Sequence, residues 1–315
     1  MIILGIESTA HTFGIGIVNG QGRILANALD SYKCEDAGMI PNKVAEHHEK
    51  AAEKVLQKAF EEAEMEWKEI SFIAYSAGPG LDPSLWIGYN KAKEWSNKYK
   101  KKIVGVNHPA AHLSIGKIIH HLKDPCYLYV SGVNTQIIIA NGNKYVILGE
   151  TLDVGLGNML DKFGRVIGLG FPAGQKIEEL AKKGKYVELP YVIKGMDVSF
   201  SGILTKVQQL YSQGISKEDL CFSIQETCFA MLVEAAERAM AHAGKKELLL
   251  VGGVGANNRF CEMLDIMCKE REAGFYKVPA ELVKDNGAMI AWEGCIRRNE
   301  SGDIGIKPHW RIDEI

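Results

Sequence analysis

Two histidines, His108 and His112, stand four residues apart in the segment His108-Pro109-Ala110-Ala111-His112. On a helix, residues i and i+4 share one face, one turn apart. Their imidazole nitrogens can then chelate one transition-metal ion; without a metal, the same pair serves capping and packing. Zinc-protease helices carry Glu directly after the first histidine as general base. Pro109 stands there in this chain, so that mechanism lacks its base. The pairs His47-His48 and His120-His121 are vicinal. Adjacent helical residues point apart, so both pairs read as surface or packing residues.

Two loops could handle phosphate. Ser131-Gly132-Val133-Asn134-Thr135 reads as a tight turn between strands. Its N–H groups and hydroxyls could cradle phosphate oxygens, or it is an ordinary hairpin turn. Gly252-Gly253-Val254-Gly255-Ala256-Asn257 follows a buried strand and precedes a helix. Glycine there lets the backbone approach a flat ring or a phosphate. Carboxylates also stand at strand ends and helix starts: Glu7, Asp161, Glu178 and Asp285. Asp285, before Asn286-Gly287, is either a helix cap or a metal ligand. Asp161 is either a solvated helix residue or part of a site.

These residues need a scaffold. Runs 2–6, 13–18 and 24–32 read as three strands in a meander, and 42–64 as an amphipathic helix. A strand at 71–77, a Gly/Pro turn at 78–83, a helix at 84–100 and a strand at 103–106 follow. Pro109 suits the start of a helix carrying both histidines. Strand patterns then resume at 126–131, 135–140 and 144–149, so the second half restarts with the layout of the first. Helical patterns follow at 151–185, with a Gly-rich break at 168–174, and at 219–243. A strand at 248–251 and a last helix at 287–298 complete the pattern. The expected fold is α/β, a duplicated ribonuclease-H-like two-lobed fold of the actin, sugar-kinase and Hsp70 type. The expected divisions are 1–122 for the first lobe, 123–300 for the second with the last helix packing back toward the cleft, and 301–315 as tail or linker. Ligands of such folds sit at strand carboxyl ends.

Composition narrows the class. The 315 residues suit two lobes of roughly 150 residues each. Apolar residues make up 46% and charged residues 24%, as in an ordinary globular protein. No apolar run is long enough for a membrane span, and the start lacks the basic n-region of a signal peptide. The net charge of −2 is unlike that of a dedicated nucleic-acid binder. Any RNA contact must use a local patch or a partner. The densest basic run, Lys91, Lys93, Lys98, Lys100, Lys101 and Lys102, reads as a solvated helix end, with RNA contact the alternative. Seven scattered cysteines, Cys34 included, show no C-x-x-C pair. They suit small apolar core residues in a reducing cytosol, and the expected location is cytoplasmic.

At several segments the chain closely resembles a known family over about residues 2–300. The carrying segments include Gly5-Ile6-Glu7-Ser8-Thr9-Ala10-His11-Thr12, Ala45-Glu46-His47-His48, Val104-Gly105-Val106-Asn107-His108 and Tyr129-Val130-Ser131-Gly132. Leu160-Asp161-Lys162-Phe163, Lys194–Gly202, Val251–Asn257 and Asp285–Ala291 add to them. The chain resembles the universal tRNA threonylcarbamoyladenosine transferases, in particular the archaeal and eukaryotic catalytic subunit of the KEOPS complex, with bacterial TsaD relatives.

The resemblance implies an acyltransferase. It would move a threonylcarbamoyl group from threonylcarbamoyl-adenylate, bound between the lobes, to the exocyclic amine of the adenosine beside the tRNA anticodon. It implies one divalent ion, iron in preference to zinc, on His108, His112, Tyr129 and Asp285. It implies contacts of ATP, AMP or the adenylate with Tyr129, Val130, Ser131, Gly132, Val133, Asp161, Gly174, Glu178 and Asn257. Glu178 would bind ribose, and 131–133 would face phosphate. Glu7 and His11 would orient the amine or the leaving phosphate. The implied partners are tRNA, a small dimerising subunit on the N-terminal lobe and an atypical protein kinase on the C-terminal lobe, fused after the last helix in some archaeal members. No membrane is implied. The chain departs from the family pattern at Val133, where Gly is common, and at Pro172-Ala173-Gly174-Gln175, where Pro-Gly-Gly-Pro is usual. It departs again at Ile40-Pro41-Asn42-Lys43 and in the helix from Leu85. Other readings are a metalloprotease, a sugar or acetate kinase on the same fold, and a non-catalytic nucleotide-binding scaffold of the same complex.

Overall fold

In the computed structural model, which describes residues 1–33, 40–142, 144–300 and 302–315, the opening apolar runs pair as expected. Strands β1 (Ile2–Glu7), β2 (Thr12–Asn19) and β3 (Ile24–Ser31) form an antiparallel meander with Gly5 opposite Gly16. Helix α1 (Pro41–Ala63) leads to β4 (Phe72–Gly78), parallel to β1. Helix α2 (Asp82–Tyr99) leads to β5 (Lys102–Asn107), parallel to β4. Helix α3 (His108–Ile119) starts directly from the end of β5. The sheet order is β3-β2-β1-β4-β5.

The next residues repeat the plan. Strands β6 (Cys126–Val130), β7 (Thr135–Asn141) and β8 (Lys144–Glu150) form a second antiparallel meander. Helices α4 (Leu156–Val166) and α5 (Gly174–Ala181), the short pair β9 (Ile193–Lys194) and β10 (Asp197–Val198), and helices α6 (Ser201–Ser212) and α7 (Lys217–Ala243) follow. Then come β11 (Glu247–Val251), parallel to β6, helix α8 (Asn258–Glu270) and β12 (Gly274–Lys277), parallel to β11. The order β12-β11-β6-β7-β8 is that of the first sheet read from the other edge. Each sheet is a meander whose first strand accepts two parallel strands on its free side. This is the duplicated α/β architecture expected from the sequence.

The last helix, α9 (Gly287–Arg297), corrects the expected divisions. The chain forms two compact units, Met1–His121 with Lys284–Ile315, and Leu122–Val283. Residues 284–300 therefore belong to the first unit, not to a second lobe of 123–300. The reason is a glycine seam. A Cβ on Gly5 would sit 2.8 Å from the Ala291 Cα, and one on Gly16 would collide with the backbone of Gly287 and Ala288. Only bare backbone lets α9 lie this close to β1 and β2. The other face of these strands packs Leu4, Ile6, Ile15 and Ile17 in one core with Val55, Leu56 and Ala59 of α1.

Residues 302–315 are not a free tail either. The Lys307 N–H donates to the Ala77 carbonyl (2.6 Å), the Gly80 N–H to Pro308 (3.1 Å) and the Gly105 N–H to Gly302 (2.8 Å). Ile312 is buried. Of the basic run, Lys91 pairs with Glu49 (2.9 Å) and Glu94 (3.2 Å), and Lys93 with Asp303 (2.7 Å). Six cysteines are buried free thiols, and burial pushes Cys126 and Cys221 up to about 12, so they act as apolar filler. Cys34 lies outside the described residues. Among the described residues, no helix is long and apolar enough to cross a membrane.

His48 is buried, with its Nε2–H donated to the Ala10 carbonyl (2.9 Å). Burial, opposed in part by that carbonyl, lowers its pKa to about 4. Below the unfolded value near 6.5 the unfolded chain takes up a proton that the folded chain refuses. Stability from this group is whole above pH ~6.5 and falls toward pH ~4, by about 3 kcal/mol. Urea unfolding at stepped pH checks this: His48→Leu is expected to flatten that part of the profile.

Candidate functional site

In the first unit, local capping aims the ligands. Asn107 is the N-cap of α3, its Oδ1 accepting the Ala110 N–H (3.1 Å), and its Nδ2 donates to the Trp310 carbonyl (3.2 Å). His108 and His112 follow on one face, rings 4.8 Å apart and edge-to-face. At α9, Asn286 is the N-cap, accepting the Met289 N–H (3.0 Å). Asn286 thus does the capping, and the Asp285 carboxylate turns to the histidines. Its Oδ1 lies 3.4 Å from His108 Nε2 and 3.3 Å from His112 Nε2. Among the described residues, these three form the one group of His, Cys, Asp or Glu donors close enough to hold an ion, all within 4.8 Å of one another.

The donor set fits a divalent transition metal. Two imidazole nitrogens and one carboxylate oxygen are borderline ligands suited to zinc or iron. A tetrahedron with bonds of about 2.0–2.1 Å has edges near ~3.3 Å, which matches the observed nitrogen–oxygen spacings. The second partner of His108 completes the argument. Its Nδ1 lies 2.9 Å from Glu7 Oε2, so Nδ1–H donates to the carboxylate and Nε2, facing Asp285, is the ring nitrogen that would give up its proton to a bound ion. Glu7 Oε1 accepts from the Thr9 N–H (2.7 Å) and hydroxyl (2.5 Å). Glu7 is fully buried with both oxygens engaged. In this arrangement Glu7 holds the His108 ring and Thr9.

The charges are interdependent. Burial opposes a charged His108, but Glu7 and Asp285 outweigh it and raise its pKa well above the ordinary value. Burial, with the neighbouring His108, lowers that of His112. Burial also opposes ionised Asp285, and the two imidazoles overcome it, holding the carboxyl well below the usual range. His11 is half-buried, and its carbonyl accepts the Tyr32 N–H (2.8 Å).

The second unit holds the other expected residues. Tyr129, the fourth implied ligand, is buried on β6, its hydroxyl accepting from Asn134 Nδ2 (3.5 Å). Val130 ends that strand. The following turn is closed by the Ser131 N–H to the Asn134 carbonyl (2.7 Å) and the Asn134 N–H to Ser131 Oγ (3.0 Å). Helix α4 docks beneath it. The Leu156 N–H donates to Thr135 Oγ1 (2.9 Å), Gly157 to the Ser131 carbonyl (3.2 Å) and Asn158 to the Gly132 carbonyl (2.9 Å). The first amides of α4 are thus consumed, while those of Gly132 and Val133 meet no acceptor among the described residues. Val133 is 71% exposed and outside the left-handed region, so it fits this turn without the backbone cost a positive φ would impose.

Asp161 accepts the Ala173 N–H (2.8 Å), and burial raises its pKa. Ala173 itself is buried. A side chain on Gly174 would meet open space. Glu178 Oε1 accepts from the N–H (2.9 Å) and the Nδ2 (3.1 Å) of Asn258. Asn257, an expected nucleotide contact, is the N-cap of α8: it accepts the Phe260 N–H (3.1 Å) and donates to Gln225 Oε1 (2.9 Å). Gly252 (φ +93°) would meet the Val130 carbonyl if it carried a Cβ, which binds the loop after β11 to the end of β6.

Sequence reasoning passed over Thr9, Asn107, Gln225 and Asn258. Asn107 had a readable signal, an Asn two positions before a proline at a helix start. Gln225 and Asn258 act across 32 and 80 positions and had none, and Thr9, two residues from Glu7, carried none that spacing reveals.

Comparison with known proteins follows the same lines. Residues 23–292 match the family described as TsaD, tRNA N6-adenosine threonylcarbamoyltransferase. The chain is 50% identical over 323 residues to the tRNA N6-adenosine threonylcarbamoyltransferase of Thermococcus sibiricus, covering 100% of this chain and 99% of that protein. It is 46% identical over 321 residues to a Methanocaldococcus jannaschii protein named probable bifunctional tRNA threonylcarbamoyladenosine biosynthesis protein, covering 100% of this chain and 60% of that one. Among solved structures, Thermococcus kodakarensis HypF aligns with a TM-score of 0.64 at 14% identity, over 94% of this chain and 47% of that chain. Component A of the Acidaminococcus fermentans (R)-2-hydroxyglutaryl-CoA dehydratase aligns with a TM-score of 0.58 at 13% identity, over 94% and 99%. These two likenesses speak to the fold alone.

Proposed function

The chain belongs to the tRNA N6-adenosine threonylcarbamoyltransferase family, and from that premise we propose how its residues carry out the transfer. The reaction joins a threonylcarbamoyl group to the exocyclic amine of a tRNA adenosine. In the donor, threonylcarbamoyl-adenylate, the carbamoyl carbon is bonded to a phosphate oxygen of AMP. The amine nitrogen forms a bond to that carbon, the carbon–oxygen bond to phosphate breaks, AMP leaves with the electron pair, and the amine proton passes to solvent or to the leaving phosphate. The amine is a weak nucleophile, so positioning and charge stabilisation matter more than a strong base.

His108, His112 and Asp285 hold a divalent ion, iron or zinc, in this reading. A bound ion would supply Lewis acidity toward a phosphate or carbonyl oxygen. Glu7, braced by Thr9, keeps His108 in its ligating tautomer. In the second unit, the free amides of Gly132 and Val133 suit a phosphate oxygen, and Glu178 suits a ribose hydroxyl. Asp161 ties the start of α5, where Gly174 leaves open space, to α4. The implied partners, a dimerising subunit on the first unit and a kinase on the second, in the cytoplasm, belong to the same reading. The bifunctional names of relatives such as the Methanocaldococcus jannaschii protein agree with a joined second activity.

The observation that carries the reading is the convergence of three donors on one point with Glu7 behind His108. The test is a transfer assay with labelled threonylcarbamoyl-adenylate and unmodified tRNA, with and without the partner subunits. Label in tRNA adenosine, stimulated by the subunits, supports the reading. Nucleotide binding without any transfer would leave a scaffold.

A further inference from the structure

Glu178 presents two oxygens that are not equivalent. Oε1 takes two donors from Asn258, the backbone N–H at 2.9 Å and the side-chain amide at 3.1 Å. Oε2 takes no hydrogen bond from the described residues. Asn258 is the first residue of α8, so a helix N-terminus, favourable to negative charge, backs the carboxylate. The helix start is itself held from its other side. Gln225 grips the Asn257 side chain (2.9 Å), and Glu226 takes both Nε (2.9 Å) and Nη2 (2.8 Å) of Arg259. Two residues of α7 therefore fix the turn that fixes Glu178.

We infer that Asn258 is a positioning residue that occupies Glu178 Oε1, so that the nucleotide's ribose is read through one hydroxyl on Oε2. This rests on the reading of Glu178 as the ribose contact. A carboxylate free at both oxygens can take both vicinal hydroxyls. One held at Oε1 has room for a single strong bond in a set direction. Loss of one hydroxyl from the ligand should then weaken binding, and loss of the other should not.

Proline makes the test clean. Asn258 stands at the first helical position, where a missing N–H is tolerated. Asn257 before it is extended (φ −72°, ψ 121°), as a residue preceding proline requires. Asn258→Pro thus deletes both donors to Glu178 while keeping the helix start, and Asn258→Ala deletes one. Calorimetric titration of ATP, 2′-deoxy-ATP and 3′-deoxy-ATP into the full chain reads the result. Expected for the unsubstituted chain is roughly tenfold weaker binding of one deoxynucleotide only. That preference should shrink in Asn258→Ala and vanish in Asn258→Pro, with cooperative unfolding retained. Equal preference in all three proteins overturns the role of Asn258 and leaves Glu178 as ribose contact. An unsubstituted chain that binds all three nucleotides alike, or none, overturns the ribose reading and this inference with it. Should Asn258→Pro fail to fold, Asn258→Ala decides: an undiminished preference there overturns the inference.

Discussion

His112→Ala is expected to lose the bound ion and to lower threonylcarbamoyl transfer by about 100-fold or more. The substitution takes one of three donors from a cluster in which each Nε2 lies 3.3–3.4 Å from Asp285 Oδ1. The remaining pair cannot enclose an ion, and His108 and Asp285 are left to pair with each other. A graded control comes from Glu7→Gln. It keeps the side chain's size but has one acceptor oxygen where Glu7 uses two, for His108 and for Thr9, and it removes the charge that fixes the tautomer. Ion affinity should fall roughly 10- to 100-fold, as for other partners behind a ligand. Elemental analysis beside the transfer assay reads both variants. A His112→Ala protein that keeps its ion and its rate would reduce the pair to packing.

Gly16→Val is expected to destabilise the first unit by about 3–5 kcal/mol or to prevent its folding. Gly16 faces the Gly287–Ala288 backbone at a distance that leaves no room for a Cβ, and Gly5 meets Ala291 in the same way. A side chain there would lift α9 from the sheet. Asp285 precedes that helix by two residues, so the same displacement would pull it from the histidines. Instability and loss of the ion should therefore appear together. Gly202, in helix α6, is the contrasting position: nothing lies within 4 Å of a Cβ built there. Gly202→Ala should be neutral or stabilising, by up to about 1 kcal/mol. Urea unfolding of the two variants measures both effects. Equal stabilities would mean that α9 does not depend on the seam.

The elements positioning the site were legible because their patterns are strong. The two meanders are short β-rich runs broken by turns such as Ser8-Thr9-Ala10-His11 and Ser131-Gly132-Val133-Asn134, and the His108 helix announces itself with Pro109. Helix α6 was missed because its N-cap, Phe200, offers no side-chain acceptor, and β12 because three half-buried residues and an exposed Lys277 make too short a pattern. That α9 belongs to the first unit was illegible for a different reason. Its contact with β1 and β2 runs through glycine backbone, which hydrophobic periodicity does not report. The chemistry divided in the same way. His108 and His112 are neighbours on one helix and could be paired by spacing alone. Asp285 needed the fold to show that Asn286 caps the helix while its own carboxylate faces the histidines. Glu7 was found as a candidate, but its contact with His108, 101 positions away, was not legible. Val133, where Gly is common in the family pattern, stands in a turn that imposes no positive φ there.

The central claim is that one ion held by His108, His112 and Asp285 serves threonylcarbamoyl transfer. The direct measurement is a titration of iron or zinc into chelator-treated protein, assembled with its partners, threonylcarbamoyl-adenylate and tRNA, with ion content and rate followed together. The account expects transfer to rise with bound ion, to saturate at about one ion per chain, and to be lost with the ion when all three ligands are replaced by alanine. Full transfer by metal-free protein, or ion uptake that survives the triple replacement, would contradict it.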